Sequence, residues 1–401
     1  MIWAIGDIHG MFDPLKRIMS QIRFLEEADD PVERVVFLGD YIDHGPSSRE
    51  VVDYLRALDH PKVLLLGNHE DLALRDLGGD KVLEGLDGDA WLDNGALDTY
   101  KSLFDRRGGM ETAREFLRVC EKKKSGAREE DGRGGGGRPA VPRLPRKYET
   151  FLKSLRPHHR ETFELPDGTL GFSFFHALPD WNSSLDDQRF KTRAAFNRSL
   201  DRAALALREG PAGRGRASER LADLRLRLLE GTCLWNRDYD LESDYRGEIV
   251  VHGHTPTANY PGYFDNPDMR PYFRQFESWP DGFFLPFLFA LSPDAVWPDG
   301  PAGAAPPAGF FGPYGNAAGS HRYRCPPGTL RAVNIDTGAV YGRALTALGL
   351  SKKYLGRGLM PLLTVRTSGG QRHPDSKITA RTILVEGLAG AGVRGGGGAR
   401  S

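Results

Sequence analysis

Short apolar runs recur along the first 70 positions, each closed by a glycine and then by oxygen-bearing or imidazole side chains. Met1–Ile5 leads into Gly6-Asp7-Ile8-His9-Gly10. Arg34–Leu38 leads into Gly39-Asp40-Tyr41-Ile42-Asp43-His44-Gly45, and Lys62–Leu66 into Gly67-Asn68-His69-Glu70. Runs of this length and β-branched character predict buried strands. The stretches between them have helical spacing. Leu15, Ile18, Met19, Ile22 and Leu25 form one stripe within Phe12–Ala28. Behind Gly45-Pro46, the residues Val51, Val52, Tyr54, Leu55 and Leu58 form another, and Ser47 and Glu50 have capping-box spacing at its start. The predicted order is βαβαβ, the signature of a parallel sheet in an α/β fold.

Ligands of open parallel sheets gather at the carboxyl ends of the strands. The three glycine-led loops would therefore place Asp7, His9, Asp40, Asp43, Asn68 and His69 around one point. Carboxylates, imidazoles and an amide in one cluster have the chemistry of a binuclear metal site. Three such loops in order, at helix-sized separations, make an accidental cluster a poor account of the pattern.

Composition adds boundaries. Lysine plus arginine equals aspartate plus glutamate, 54 each in 401 residues, which gives no case for a nucleic-acid partner. Cys120, Cys233 and Cys325 lie far apart and form no disulfide framework. With the first strand beginning at Met1 or Ile2, no signal peptide is expected, nor a transmembrane segment, and the expected location is cytoplasmic. Abundant glycine and proline predict long irregular insertions. Residues 121–147 are almost devoid of apolar side chains and read as a flexible linker. Residues 185–230, rich in Arg, Ala and Leu, read as a helical insertion. Residues 257–330 read as an insertion rich in aromatics, proline and glycine, including Phe283, Phe284, Phe287 and Phe289; a lid, a partner surface, a membrane-touching patch and a satellite core are its alternative readings. Residues 351–401 read as a largely mobile tail. Two later strands, Leu170–Phe175 and Glu248–Val251, deliver His176-Ala177 and His252-Gly253-His254-Thr255-Pro256.

The three glycine-led motifs resemble G-D-x-H-G, G-D-x-x-D-R-G and G-N-H-E of the calcineurin-like metallophosphoesterases, in the phosphoprotein phosphatase branch. The match is complete except that His44 stands where that branch has arginine. Trp91, Asn94 and Gly95 are similar to a following W-x-x-N-G-G segment, Leu234-Trp235-Asn236-Arg237 to a bacterial L-W-x-R segment, His254-Thr255-Pro256 to the end of G-H-T-P, and Asn334–Gly342 to a closing hairpin N-I-D-T-G-A-V-Y-G. The implied fold is a central β-sandwich of mixed sheets flanked by helices, with the phosphoesterase domain over residues 1–350.

The resemblance implies two divalent ions, manganese first, with iron or zinc as alternatives. One takes Asp7, His9 and Asp40; the other takes Asp40, Asn68, His176 and His254, so that Asp40 bridges. They would activate a water against a phosphoester, while His69, oriented by Asp43, protonates the leaving oxygen. Arg237 and His44 are the implied phosphate contacts. A histidine at 44 is shorter and only partly charged near neutrality, which predicts weaker phosphate binding, a steeper pH dependence or a different substrate. His252 is expected to support a ligand rather than to be one. The implied activity is that of a protein serine/threonine phosphatase acting on a phosphorylated protein or a small phosphoester. Symmetrical hydrolysis of diadenosine tetraphosphate is the alternative, although Glu70 favours the phosphatase. A catalytically silent scaffold, binding partners through 257–330, is the third reading.

Overall fold

The computed structural model describes residues 1–28, 31–77, 91, 94–103, 144–181, 232–237, 248–257, 287–290, 310–311, 314–317, 320–324, 329–367, 378–386 and 388. Its strands are β1 (Ile2–Ile5), β2 (Arg34–Phe37), β3 (Lys62–Leu64), β4 (His158–Leu165), β5 (Gly168–Phe175), β6 (Ile249–His252), β7 (Phe287–Ala290), β8 (Phe310–Phe311), β9 (Tyr314–Ala317), β10 (Ser320–Arg324), β11 (Leu330–Asn334), β12 (Ala344–Leu350), β13 (Leu359–Arg366) and β14 (Ile378–Glu386). The helices are α1 (Phe12–Ala28), α2 (Ser48–Ala57), α3 (Asn68–Leu77), α4 (Ala96–Leu103), α5 (Arg146–Lys153) and α6 (Lys352–Leu355).

Two mixed sheets form. The first runs β3-β2-β1-β12-β13-β14-β10-β9, with β1, β2 and β3 parallel and β12 antiparallel to β1. The second runs β4-β5-β6-β11-β7-β8, with a parallel centre of β5, β6 and β11. Side chains alternate across a strand, and β1 shows what that alternation does. Trp3 and Ile5, with Val35 and Phe37, pack with Leu15, Ile18 and Met19 of α1 and with Val51, Val52 and Leu55 of α2. Ile2 and Ala4, with Val36 and Val63, pack with Phe172, Phe174, Val251 and Val333 of the second sheet. A strand covered on both faces has no use for polar positions, so β1 and β2 read as continuous apolar runs. No helix among the described residues is long and apolar enough to cross a membrane.

Several expectations change. The tail expected from 351 is instead structural through Leu388: α6, β13 and β14 follow, and β13 and β14 lie inside the first sheet. Met360, Leu362, Ile383 and Val385 are buried between the sheets, a period-two pattern that the glycine-rich end obscures in the sequence. The insertion 257–330 contributes β7 to β10, with β7 paired to β11 and β10 to β14. Leu288 there belongs to the core between the sheets rather than to a satellite cluster. The expected closing hairpin is not one, because β11 and β12 lie in different sheets and Asp336-Thr337-Gly338 carries the chain between them. Ser47 precedes α2 as expected but makes no side-chain capping hydrogen bond. The linker ends earlier than 147, since Leu144 is buried and α5 begins at Arg146. Residues 121–143 and 185–230 lie outside the described residues.

Candidate metal centre

The loops that follow β1, β2, β5 and β6 meet the first turn of α3 at one buried place. Asp7 and His9 come from the first loop, Asp40, Asp43 and His44 from the second, His176 and His254 from the loops after β5 and β6. Asn68 and His69, expected in a loop, are the first two residues of α3. The dipole of that helix end faces the same place, and its His69 N–H donates to Asp40 Oδ1 at 3.1 Å, a favourable setting for negative charge. All of these side chains are buried except His44, which is half-buried.

The donors converge. His9 Nε2 lies 3.3 Å from Asp40 Oδ2, and His176 Nε2 lies 3.4 Å from Asp40 Oδ1. Asn68 Oδ1 is 2.7 Å from His176 Nε2 and 2.9 Å from His254 Nδ1. Asp7, His9 and Asp40 form one group whose ligand atoms lie within 4.8 Å of one another; Asp40, His176 and His254 form a second. Asp40 is common to both, the position the sequence assigns to the bridge.

These residues fit a pair of cations. His9 Nδ1 donates to the Ile42 carbonyl at 3.0 Å, and His176 Nδ1 donates to the Leu38 carbonyl at 2.9 Å. A carbonyl only accepts, so each ring carries its proton on Nδ1 and turns a bare Nε2 toward Asp40 or Asn68. Lone pairs facing one another at contact distance are what a cation between them would stabilise. Asp7 Oδ1 and His254 Nε2 are buried with no hydrogen-bond partner among the described residues. Two glycines keep the space open: a Cβ on Gly67 would sit 2.2 Å from Asp40 Oδ1, and one on Gly253 would sit 2.0 Å from Asp7 Oδ1. Burial, then Asp336 and Asp40, pushes the Asp7 carboxyl up; burial, then Glu70, does the same to Asp40. Buried carboxylates crowded in this way require positive charge. Three imidazoles, two carboxylates and an amide oxygen suit manganese, iron or zinc.

The backbone is bent to make this happen. His9, Asp40, Asp43, His44 and His254 all have positive φ, between 45° and 69°, and among the described residues they are all the non-glycine cases. Each costs about 1–2 kcal/mol relative to an ordinary conformation. Strain confined to one place points to function there.

Two further side chains hold the loops. The Glu70 carboxylate accepts the backbone N–H groups of Tyr41 (2.8 Å), Asp40 (2.9 Å), Gly67 (3.1 Å) and Ile42 (3.2 Å). Asp43 Oδ2 accepts from His69 Nδ1 and from Trp91 Nε1, both at 2.8 Å, while Oδ1 accepts from Thr99 Oγ1 at 2.5 Å. Burial pushes Asp43 up to about 7 against those hydrogen bonds, and pushes His69 down to about 3. The 2.8 Å contact lets one proton serve both groups. Trp91 is thus both a core aromatic and a partner of Asp43.

Of the remaining sequence candidates, Arg237 lies at the surface and His252 is buried at the end of β6. Arg237 is exposed, and its charge reaches His254 and Tyr341. His252 Nδ1 donates to the Gly253 carbonyl at 3.1 Å. Sequence reasoning missed Glu70 as a staple, Thr99, Asp336 and Tyr341. Asp336 is buried, and its Oδ1 accepts the Gly338 N–H at 2.9 Å. Tyr341 is 51% exposed, and its ring centroid lies 6.2 Å from that of His44. The D-T-G turn marked this segment as a bend, and nothing in its composition marked it as facing the site.

The comparisons bear on the same amino-terminal segment that supplies most of these donors. The model for calcineurin-like phosphoesterases matches residues 1–194. The symmetrical bis(5'-nucleosyl)-tetraphosphatase of Thioalkalivibrio sulfidiphilus is 36% identical over 69 residues, 17% of this chain and 24% of that protein. The same-named protein of Methylococcus capsulatus is 38% identical over 106 residues, 23% of this chain and 36% of the relative. Serine/threonine-protein phosphatase 2 of Escherichia coli is 37% identical over 95 residues, 23% of this chain and 38% of that protein. The chain thus spans between 24% and 38% of the length of these relatives.

Proposed function

We propose that this chain is a metal-dependent phosphoesterase, acting as a protein serine/threonine phosphatase. The observation that carries the reading is the meeting of Asp7, His9, Asp40, Asn68, His176 and His254 beside the His69–Asp43 pair. Asp7, His9 and Asp40 would hold one ion; Asp40, Asn68, His176 and His254 would hold the other. When bound, the two ions supply Lewis acidity toward the phosphoryl oxygens and an attacking water. The chain's own residues do the rest. With the shared proton on Asp43 Oδ2, the His69 ring would carry its own proton on Nε2 for the departing oxygen, the Asp43 proton passing to Nδ1 as Nε2 gives its own away. Trp91 and Thr99 keep the Asp43 carboxylate from turning. Arg237 offers positive charge, and Arg237 and His44 offer N–H donors, to the substrate phosphate at the rim. A cytoplasmic setting is part of this reading.

Symmetrical hydrolysis of a dinucleoside tetraphosphate is the second reading, supported by the names of two of the relatives above and by Tyr341, an exposed aromatic face beside His44 that can stack a base. The test is turnover by metal-stripped protein with manganese added back, on p-nitrophenyl phosphate, a phosphoserine peptide and diadenosine tetraphosphate. The phosphatase reading expects manganese-dependent release of phosphate from the first two. ADP production from the dinucleotide with an inert peptide would replace it by the second reading; no turnover with any of the three sinks both. Tyr341→Ala separates the readings further. Loss of base stacking is expected to lower kcat/KM on the dinucleotide roughly 5–150-fold, taking about 1–3 kcal/mol per stacked base. Turnover of p-nitrophenyl phosphate, measured in parallel, is expected to change little.

A further inference from the structure

His9, His44 and His69 turn their rings toward one another at the mouth of the centre. Ring centroids are 5.1 Å apart for His9 and His44, 4.7 Å for His9 and His69, and 5.0 Å for His44 and His69, with interplanar angles of 73°, 85° and 67°. One ring nitrogen from each lies within 4.8 Å of the other two. Core aromatic packing is a weak account of this, since imidazoles are polar and nothing apolar separates them.

Two of the three rings are already anchored as metal-bound imidazoles usually are. Ligating histidines commonly give their second nitrogen to a carboxylate or a carbonyl. His9 gives Nδ1 to the Ile42 carbonyl at 3.0 Å, and His69 gives Nδ1 to Asp43 Oδ2 at 2.8 Å. His44 makes ring contacts, is half-buried, and takes part in no hydrogen bond among the described residues, so its ring can turn. Zinc binds imidazole at about 2.0–2.1 Å, which needs three nitrogens roughly 3.3 Å apart in a tetrahedral set. Rotation of His44 and small shifts of the other two close the gap from 4.8 Å.

We propose that His9, His44 and His69 form a third cation position, selective for zinc-class ions over manganese. An all-imidazole set suits zinc, copper and nickel, whereas manganese favours oxygen donors. The position stands on its own three residues. Its consequence rests on the ligand set proposed above: His9 Nε2 cannot serve two ions, and His69 cannot deliver a proton while ligating. Zinc at this position would therefore silence the site, making the triad an inhibitory metal switch.

The test uses crystals of the full-length protein, one set loaded with manganese and a second set then soaked in zinc, with anomalous differences collected across the zinc absorption edge, alongside calorimetric zinc titration of metal-stripped wild type and His44→Arg. Arginine keeps a donor at that position and removes the ligating lone pair. The expected result is a zinc peak within bonding distance of all three histidines, and zinc affinity at this position at least ~10-fold weaker in His44→Arg. Zinc found only beside Asp40, or a titration identical in the two proteins, would overturn the proposal. If the binuclear reading alone were wrong, the manganese peaks beside Asp40 would be missing from the unsoaked crystals while the three-histidine zinc peak appeared in the soaked ones.

Discussion

Asp40→Asn is expected to abolish manganese-dependent turnover, by at least ~10³-fold, while leaving the metal-free protein at least as stable as wild type. The first half follows from Asp40 belonging to both ligand groups. An ion pair supplies several kcal/mol of charge stabilisation, and each 1.4 kcal/mol is about tenfold in rate. The second half follows from electrostatics. Burial, then Glu70, then Asp43 and Asp336 raise the Asp40 carboxyl, opposed by the hydrogen bond from the His69 N–H. A raised carboxyl pKa means that its stability contribution is complete below the unfolded value near 3.8 and is lost as pH rises toward the folded value. Metal-free wild type should therefore lose stability between acid and neutral pH, and Asp40→Asn should lose less. Asparagine also suits the local backbone, since φ at 40 is 50° and its Oδ1 can still accept the His69 N–H, now 3.1 Å from the carboxylate. Thermal melts of both proteins at pH 5 and 8, with and without manganese, check it. The opposite outcome, a variant that unfolds early without metal, would mean that Asp40 is mainly a structural staple.

Glu70→Ala is expected to have the largest effect on stability of any single change at the site. It orphans the four buried N–H groups of Asp40, Tyr41, Ile42 and Gly67. Each unsatisfied donor costs about 1–3 kcal/mol. Partial rehydration of the cavity lowers the sum, so about 4 kcal/mol or more is expected, a large part of the 5–15 kcal/mol typical of a domain. Glu70→Gln is not conservative here. Oε1 accepts from Tyr41 and Ile42, and Oε2 from Asp40 and Gly67, so either amide orientation points an NH2 at two donors. Urea denaturation of the three proteins would show it as a falling midpoint at unchanged slope. Manganese affinity should fall with it, because Asp40 keeps its left-handed backbone through the N–H that Glu70 holds.

The first 70 residues announced their structure because each strand is covered on both faces and each loop brings polar side chains to one buried place. That leaves unbroken apolar runs closed by glycine, a pattern that composition alone exposes. His176 and His254 were legible only as single histidines at strand ends, and it was the family resemblance that joined them to the cluster. What stayed hidden depends on contacts between distant segments. Thr99 is an unremarkable helix residue until α4 packs beside Asp43. Tyr341 is a surface tyrosine until the turn after β11 brings it to His44. β13 and β14 were lost for a different reason: Thr364, Arg381 and Thr382 interrupt their apolar runs, and the glycine-rich end outweighed them in composition.

The order in which this chain is made bears on how the centre is assembled. The His254 N–H binds Asp7 Oδ2 across 247 residues, and the Gly6 N–H is held by the Thr346 carbonyl of β12. At about 5–20 residues per second, Asp7 waits roughly 12–50 s on the ribosome before its partner exists. Through that interval β1 lacks β12 along one edge, and the carboxylates of Asp7 and Asp40 have no completed cage to neutralise them. The candidate centre is thus complete only after His254 has emerged, and any metal loading of the proposed site belongs after that point rather than before it.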